Sequence, residues 1–208
     1  YLREKLGAGA EGKGYKHVDL GAYVDRLREE APHPAAKVGV VVAQGSIVDG
    51  EQPAGVIGGD TVASLIRQAR EDDAIKAVVL RVDSPGGSAT ASEVIRREVE
   101  LSRQAGKTVV VSMGAVAASG GYWISMAADE VWASPTTITG SIGIFAMLPD
   151  LSGPMDKLGL TVDGIGTTPL SGGLDLRRPV DPQVANVLQQ TIEYGYRRFL
   201  AVVGTARK

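Results

Sequence analysis

Two short stretches of this 208-residue chain combine residue types that suit acyl chemistry. In Gly114-Ala115-Val116-Ala117-Ala118-Ser119-Gly120-Gly121-Tyr122-Trp123, the eight residues from Gly114 to Gly121 are all glycine, alanine or serine apart from Val116. Small side chains let another chain come close. A serine at a helix start, followed by glycine, can offer a nucleophilic hydroxyl and the next N–H to one carbonyl. An ordinary helix N-cap has the same appearance. Ala117 stands where a Gly-x-Ser-x-Gly elbow needs its first glycine, so that arrangement is not supported. In Val82-Asp83-Ser84-Pro85-Gly86-Gly87-Ser88, glycines turn the backbone sharply and leave N–H groups pointing outward. Either an oxyanion or a phosphate suits such a turn, and so does no ligand at all. The Gly-Lys-Ser/Thr ending of a phosphate loop is missing.

The elements around these stretches decide whether they meet. Val38-Gly39-Val40-Val41-Val42, Ala77 to Val82 and Thr108-Val109-Val110-Val111 are short, nearly continuous apolar runs. Helical patterns separate them: Val62, Leu65, Ile66 and Ala69 behind Asp60, then Ala91, Val94, Ile95 and Val99 behind a Thr90/Glu93 capping box. The alternation predicts an α/β fold, a parallel sheet with helices on both faces. Further strands are expected near 130–132, 143–147 and 160–165, and Asp181-Pro182 opens a last helix. Residues 1–36, rich in charge and glycine and closed by Ala31-Pro32-His33-Pro34, read as a connector with one short helix at 20–30, and 37–208 as the folded domain. Turns that follow successive strands of a parallel sheet lie side by side at its carboxyl edge. Gly86 or Gly87 would then face Ser119 Oγ and the Gly120 N–H.

Composition narrows the chemistry. With 22 basic and 24 acidic residues the net charge is -2, so no broad footprint for nucleic acid is present. There is no cysteine, hence no thiol nucleophile or thiolate metal site, and the two histidines, His17 and His33, both precede the domain. No run approaches the roughly 18 apolar residues of a membrane span. No cofactor is called for.

Asp83-Ser84-Pro85-Gly86-Gly87-Ser88, the Ala-Ser-Gly-Gly-Tyr core of Met113 to Trp123, and Thr139-Gly140-Ser141-Ile142-Gly143 together resemble the signal peptide peptidase A family. Those are membrane-bound bacterial serine proteases of the Clp protease/crotonase superfamily that work with a Ser–Lys dyad. The resemblance implies Ser119 as nucleophile, an oxyanion hole framed by Gly86, Gly87 and Gly120, and Ser141 as the hydroxyl that orients the lysine. It also implies peptide substrates such as remnant signal peptides, a homo-oligomeric ring, and a site on the extracytoplasmic side of the bacterial membrane.

The base does not fit the short form of that family. No histidine follows Ser119, and the loop where short members carry the lysine reads Leu170-Ser171-Gly172-Gly173-Leu174-Asp175-Leu176-Arg177-Arg178-Pro179. Arginine does not deprotonate at a workable pH. Lys37, Lys76 and Lys107 precede strands, and Lys157 lies on a solvated helical turn. The long form, two tandem copies with the lysine in the first and the serine in the second, resolves the conflict. The chain begins on Tyr1 and ends on Lys208 directly after a helix-like segment, which fits the second, serine-bearing half, with the base in a preceding domain. The alternatives are a crotonase-like acyl-thioester enzyme using the same two turns, and a non-catalytic ring-forming half.

Overall fold

The computed structural model describes residues 1–9, 14–30, 36–168 and 170–207. They form two compact units, Tyr1–Ala35 and Ala36–Lys208. His33 lies outside the described residues.

The first unit holds α1 (Leu2–Leu6) and α2 (Leu20–Glu30), the latter where the sequence places its short helix. Asp19 starts α2: its Oδ1 accepts the Gly21 N–H at 2.8 Å and its carbonyl the Tyr23 N–H at 2.9 Å.

The second unit is built on β1 (Lys37–Gln44), β4 (Ile75–Ser84), β5 (Thr108–Ala118) and β6 (Glu130–Trp132), hydrogen-bonded in that order, with β7 (Ile138–Gly140) pairing the far end of β5. Every pairing in this sheet is parallel. A small parallel pair, β2 (Ile47–Val48) with β3 (Ile57–Gly58), lies between β1 and α3 (Gly59–Glu71) in the chain. The helices α4 (Ala89–Gln104), α5 (Gly120–Ser125), α6 (Ser152–Lys157) and α7 (Pro182–Ala206) follow.

Alternation along the strands sorts the core. Val41 and Ala43 of β1, Val78, Leu80 and Val82 of β4, and Val109, Val111 and Met113 of β5 are buried against α3, α4, α5 and the Phe199 end of α7. The other face is a departure from expectation. Val38, Val40, Val42 and Trp132 are 60%, 64%, 56% and 65% exposed there, and no described helix of this unit covers them. The α/β class and the parallel sheet are present, but among the described residues of this unit helices line one face only. A run of valines reads the same in sequence whether both of its faces are covered or one.

Other local readings shift too. The cap of α4 is Ser88, whose Oγ accepts the Ala91 N–H at 3.2 Å, so Thr90 and Glu93 already lie inside the helix and form no capping box. Residues 143–147 and 160–165 are not strands. Phe145, Met147 and Ile165 are almost wholly exposed, with no neighbouring strand to pair. Trp132, in the stretch at 130–132, donates its Nε1–H to Glu130 Oε2 at the surface. Asp181 caps α7 as expected, accepting from Gln183 and Val184.

Candidate active site

Ser119 is the N-cap residue of α5, yet its hydroxyl makes no capping hydrogen bond. That separates it from Ser88 and removes the simplest structural reason for a serine here. Its backbone is in the left-handed region, φ 51° and ψ −117°, a conformation that costs a non-glycine residue about 1–3 kcal/mol and persists only where the surroundings enforce it. Two hydrogen bonds do so: the Ser119 N–H donates to Gly140 O at 2.8 Å, and Ser119 O accepts the Trp123 N–H at 2.9 Å. Ser119 and Ser141, at φ 53°, are the two described non-glycine residues with positive φ. The first of those bonds and the pairing of Ala118 with Gly140 set them beside each other at the carboxyl edge of the sheet.

The glycine turn after β4 comes to the same place. A Cβ on Gly86 would lie 2.6 Å from Gly120 N and 2.7 Å from Ser119 Cβ, and Gly86 has φ +103°. A Cβ on Gly87 would run into the Ile47 backbone. Only glycine permits this approach. Ile47 holds the turn from outside, donating to Gly86 O at 2.9 Å and accepting from Ser88 N at 2.8 Å. The four residues Gly86, Gly87, Ser119 and Gly120 thus converge, with Ser141 next to them.

Their amides are not equivalent. The Gly86 N–H donates to Ser84 Oγ at 3.1 Å. Neither the Gly87 N–H nor the Gly120 N–H has an acceptor among the described residues, so these two are the donors free to meet a developing oxyanion. Ser84, fully buried, was missed by sequence reasoning. Its signal is a hydroxyl directly before the Pro-Gly-Gly turn.

Beside the turn, Glu93 collects four donors: Arg96 Nε at 2.7 Å and Nη2 at 2.9 Å, Trp123 Nε1 at 2.8 Å and Arg198 Nη2 at 2.9 Å. Burial pushes its carboxyl up, but the hydrogen bonds from Arg96, Trp123 and Arg198 outweigh it and hold the pKa at about 2. Trp123 lies in the first turn after Ser119, so this carboxylate ties α4, α5 and α7 around the serine. A cavity of about 900 Å³ opens there, lined by Ala89, Val94, Trp123, Ile144, Phe145 and Ile192.

Residues 101–208 match the model of peptidase family S49. The chain belongs to peptidase family S49. This S49 chain is 48% identical to Protease 4 of Salmonella typhi and 45% identical to Protease 4 of Haemophilus influenzae, in each case over 100% of its length. It spans 33% and 34% of those relatives, about a third of each. Among solved structures, a membrane-bound stomatin-specific protease mutant aligns with 57% of the S49 chain and 52% of its own, at 22% identity and a TM-score of 0.42. Among the described residues, no helix of the S49 chain is long and apolar enough to cross a membrane.

No lysine accompanies the serine within the expected loop. There, Asp175 is held by Arg177 at 2.8 Å. Lys37, Lys76 and Lys107 lie at the amino ends of their strands, opposite Ser119, and Lys107 Nζ donates to Ala69 O and Asp72 O at the end of α3. Lys157 is the exposed last residue of α6.

Proposed function

We propose that this chain carries the nucleophile of a serine endopeptidase in which Ser119 attacks a peptide carbonyl. The observation that carries the reading is the convergence of an uncapped, strained Ser119 with two unengaged glycine amides. Ser119 Oγ transfers its proton to a lysine amine kept neutral by burial. The Gly87 and Gly120 N–H groups hold the tetrahedral oxyanion, with Gly86 allowing the close approach. The acyl-enzyme is then hydrolysed by water. Ser141, adjacent to Ser119 through Gly140, supplies the hydroxyl that orients the lysine.

That lysine comes from a preceding domain of the same polypeptide. The absence of lysine from Leu170 to Pro179 and the greater length of the relatives support this. The substrates are extended, apolar peptides such as remnant signal peptides, and the apolar cavity beside Trp123 suits their side chains. The whole assembly is a homo-oligomeric ring on the extracytoplasmic side of a bacterial membrane. Membership of a peptidase family favours this reading over an acyl-thioester enzyme.

A fluorophosphonate probe tests the assignment. Combined with a lysine-bearing domain of the family, the chain should label at Ser119 and cleave an apolar fluorogenic peptide, and Ser119→Ala should do neither. Labelling that survives Ser119→Ala, or a reconstituted complex in which Ser119 stays inert, removes the peptidase reading.

A further inference from the structure

Strands β4 and β5 do not run in step near the site. Val82 pairs with Met113 and Ser84 with Ala117. Asp83 alone therefore faces three residues, Gly114, Ala115 and Val116, so β5 carries a bulge of two extra residues. In an unbroken ladder Gly86 would be level with Ala117, and Ser119 would reach the level of Ser88. That is two residues, or about 7 Å, beyond the turn. The bulge draws Ser119 back to Gly86, where their atoms meet.

A bulge strips ladder partners from backbone groups, which must then be satisfied elsewhere. Here side chains do it. Asp83 Oδ1 accepts the Val116 N–H at 3.1 Å. Arg81 Nη1 donates to Met113 O at 3.0 Å, and Thr137 Oγ1 donates to Gly114 O at 2.9 Å. Gly114 is required where the strand passes the carboxylate, since a Cβ there would lie 2.8 Å from Asp83 Cγ.

We propose that Asp83 is a positioning residue: by holding the Val116 N–H it fixes the bulge, and so the register of Ser119 against the Gly86-Gly87 turn. Asp83 acts through the backbone of β5. Its catalytic consequence rests on the peptidase reading, but its geometric consequence does not.

The test compares Asp83→Asn, which keeps an acceptor oxygen for Val116, with Asp83→Ala, which does not. In Asp83→Ala, amide exchange at Val116 should rise at least about tenfold and the nuclear Overhauser contact between Ser119 and Gly86 should vanish. With a lysine-bearing domain of the family added, labelling of Ser119 and kcat should fall at least about tenfold while KM holds. Asp83→Asn should restore all four readouts. If Asp83→Ala does not fold, Gly114→Ala, which pushes a methyl against the carboxylate, should give the same pattern. An unchanged Val116 exchange rate and Ser119–Gly86 contact in Asp83→Ala or Gly114→Ala, or an Asn variant as impaired as the Ala variant, overturns the proposal. If the wild-type serine does not label even when the chain is combined with a lysine-bearing domain of the family, the peptidase reading fails, and the exchange and Overhauser measurements still decide the register.

Discussion

Ser119 and Ser141 share one hydrogen-bonded junction: the N–H of Ser119 donates to the carbonyl of Gly140, the residue before Ser141, at 2.8 Å, and both serines have positive φ. Two left-handed serines thus close the ends of two neighbouring strands, β5 and β7.

The junction separates conformation from chemistry at Ser141. Ser141→Gly and Ser141→Ala both remove the hydroxyl, but only glycine accepts φ 53° without strain. Thermal melts should show the glycine variant more stable than the alanine variant by about 1 kcal/mol. Both should label with fluorophosphonate much more slowly than wild type. Full labelling in Ser141→Gly would mean that the hydroxyl orients nothing.

Gly86→Ala is expected to damage the site more than any surface change. Its methyl would press on Gly120 N and Ser119 Cβ at 2.6 and 2.7 Å, both on fixed backbone. Strain and overpacking together predict a loss of at least about 2 kcal/mol in denaturant titrations, with labelling of Ser119 abolished. A variant of wild-type stability that labels normally would show that the turn is not pressed against the serine.

Acid should act through Glu93. Its folded pKa of about 2 lies below its usual 4.5, so the stabilisation is complete above pH 4.5 and drains away as the pH falls toward 2. Glu93→Gln should be less stable than wild type at pH 7. The gap should close between those two pH values in melts followed by Trp fluorescence. The partial exposure of the site screens its size, and a gap independent of pH would remove the charge from the account.

Phe199 anchors α7. It is 1% exposed and packs against Trp123, ring centroids 4.5 Å apart and planes tilted by 34°. Phe199→Ala should lower stability by about 3–5 kcal/mol and shift Trp emission as the ring beside it empties. Unchanged emission would place the α7 anchor elsewhere.

Much of this was legible in the residues. Val41, Val78 and Val109 lie on the parallel strands that their apolar runs predict, and the Asp181-Pro182 pair marks the start of α7. Two turns ending successive strands were enough to put Gly86 and Ser119 at the same edge of the sheet, but the last two residues of approach come from the bulge. The bulge was not legible. Gly114-Ala115-Val116 continues an apolar strand, and nothing in it states that one residue of a neighbour will face all three. Glu93 was misread because its partners Trp123 and Arg198 are far away in sequence, whereas a capping box is defined within one turn. The second face of the sheet escaped notice for a different reason: hydrophobicity reports a preference for burial and does not say what does the burying.

That bare valine row, Val38, Val40 and Val42, has a consequence for handling the molecule. Water ordered over it is released by any apolar surface that arrives, and solutes excluded from proteins, sulfate among them, favour that release. Ammonium sulfate should therefore drive the chain out of solution through this flank well before the fold itself is disturbed.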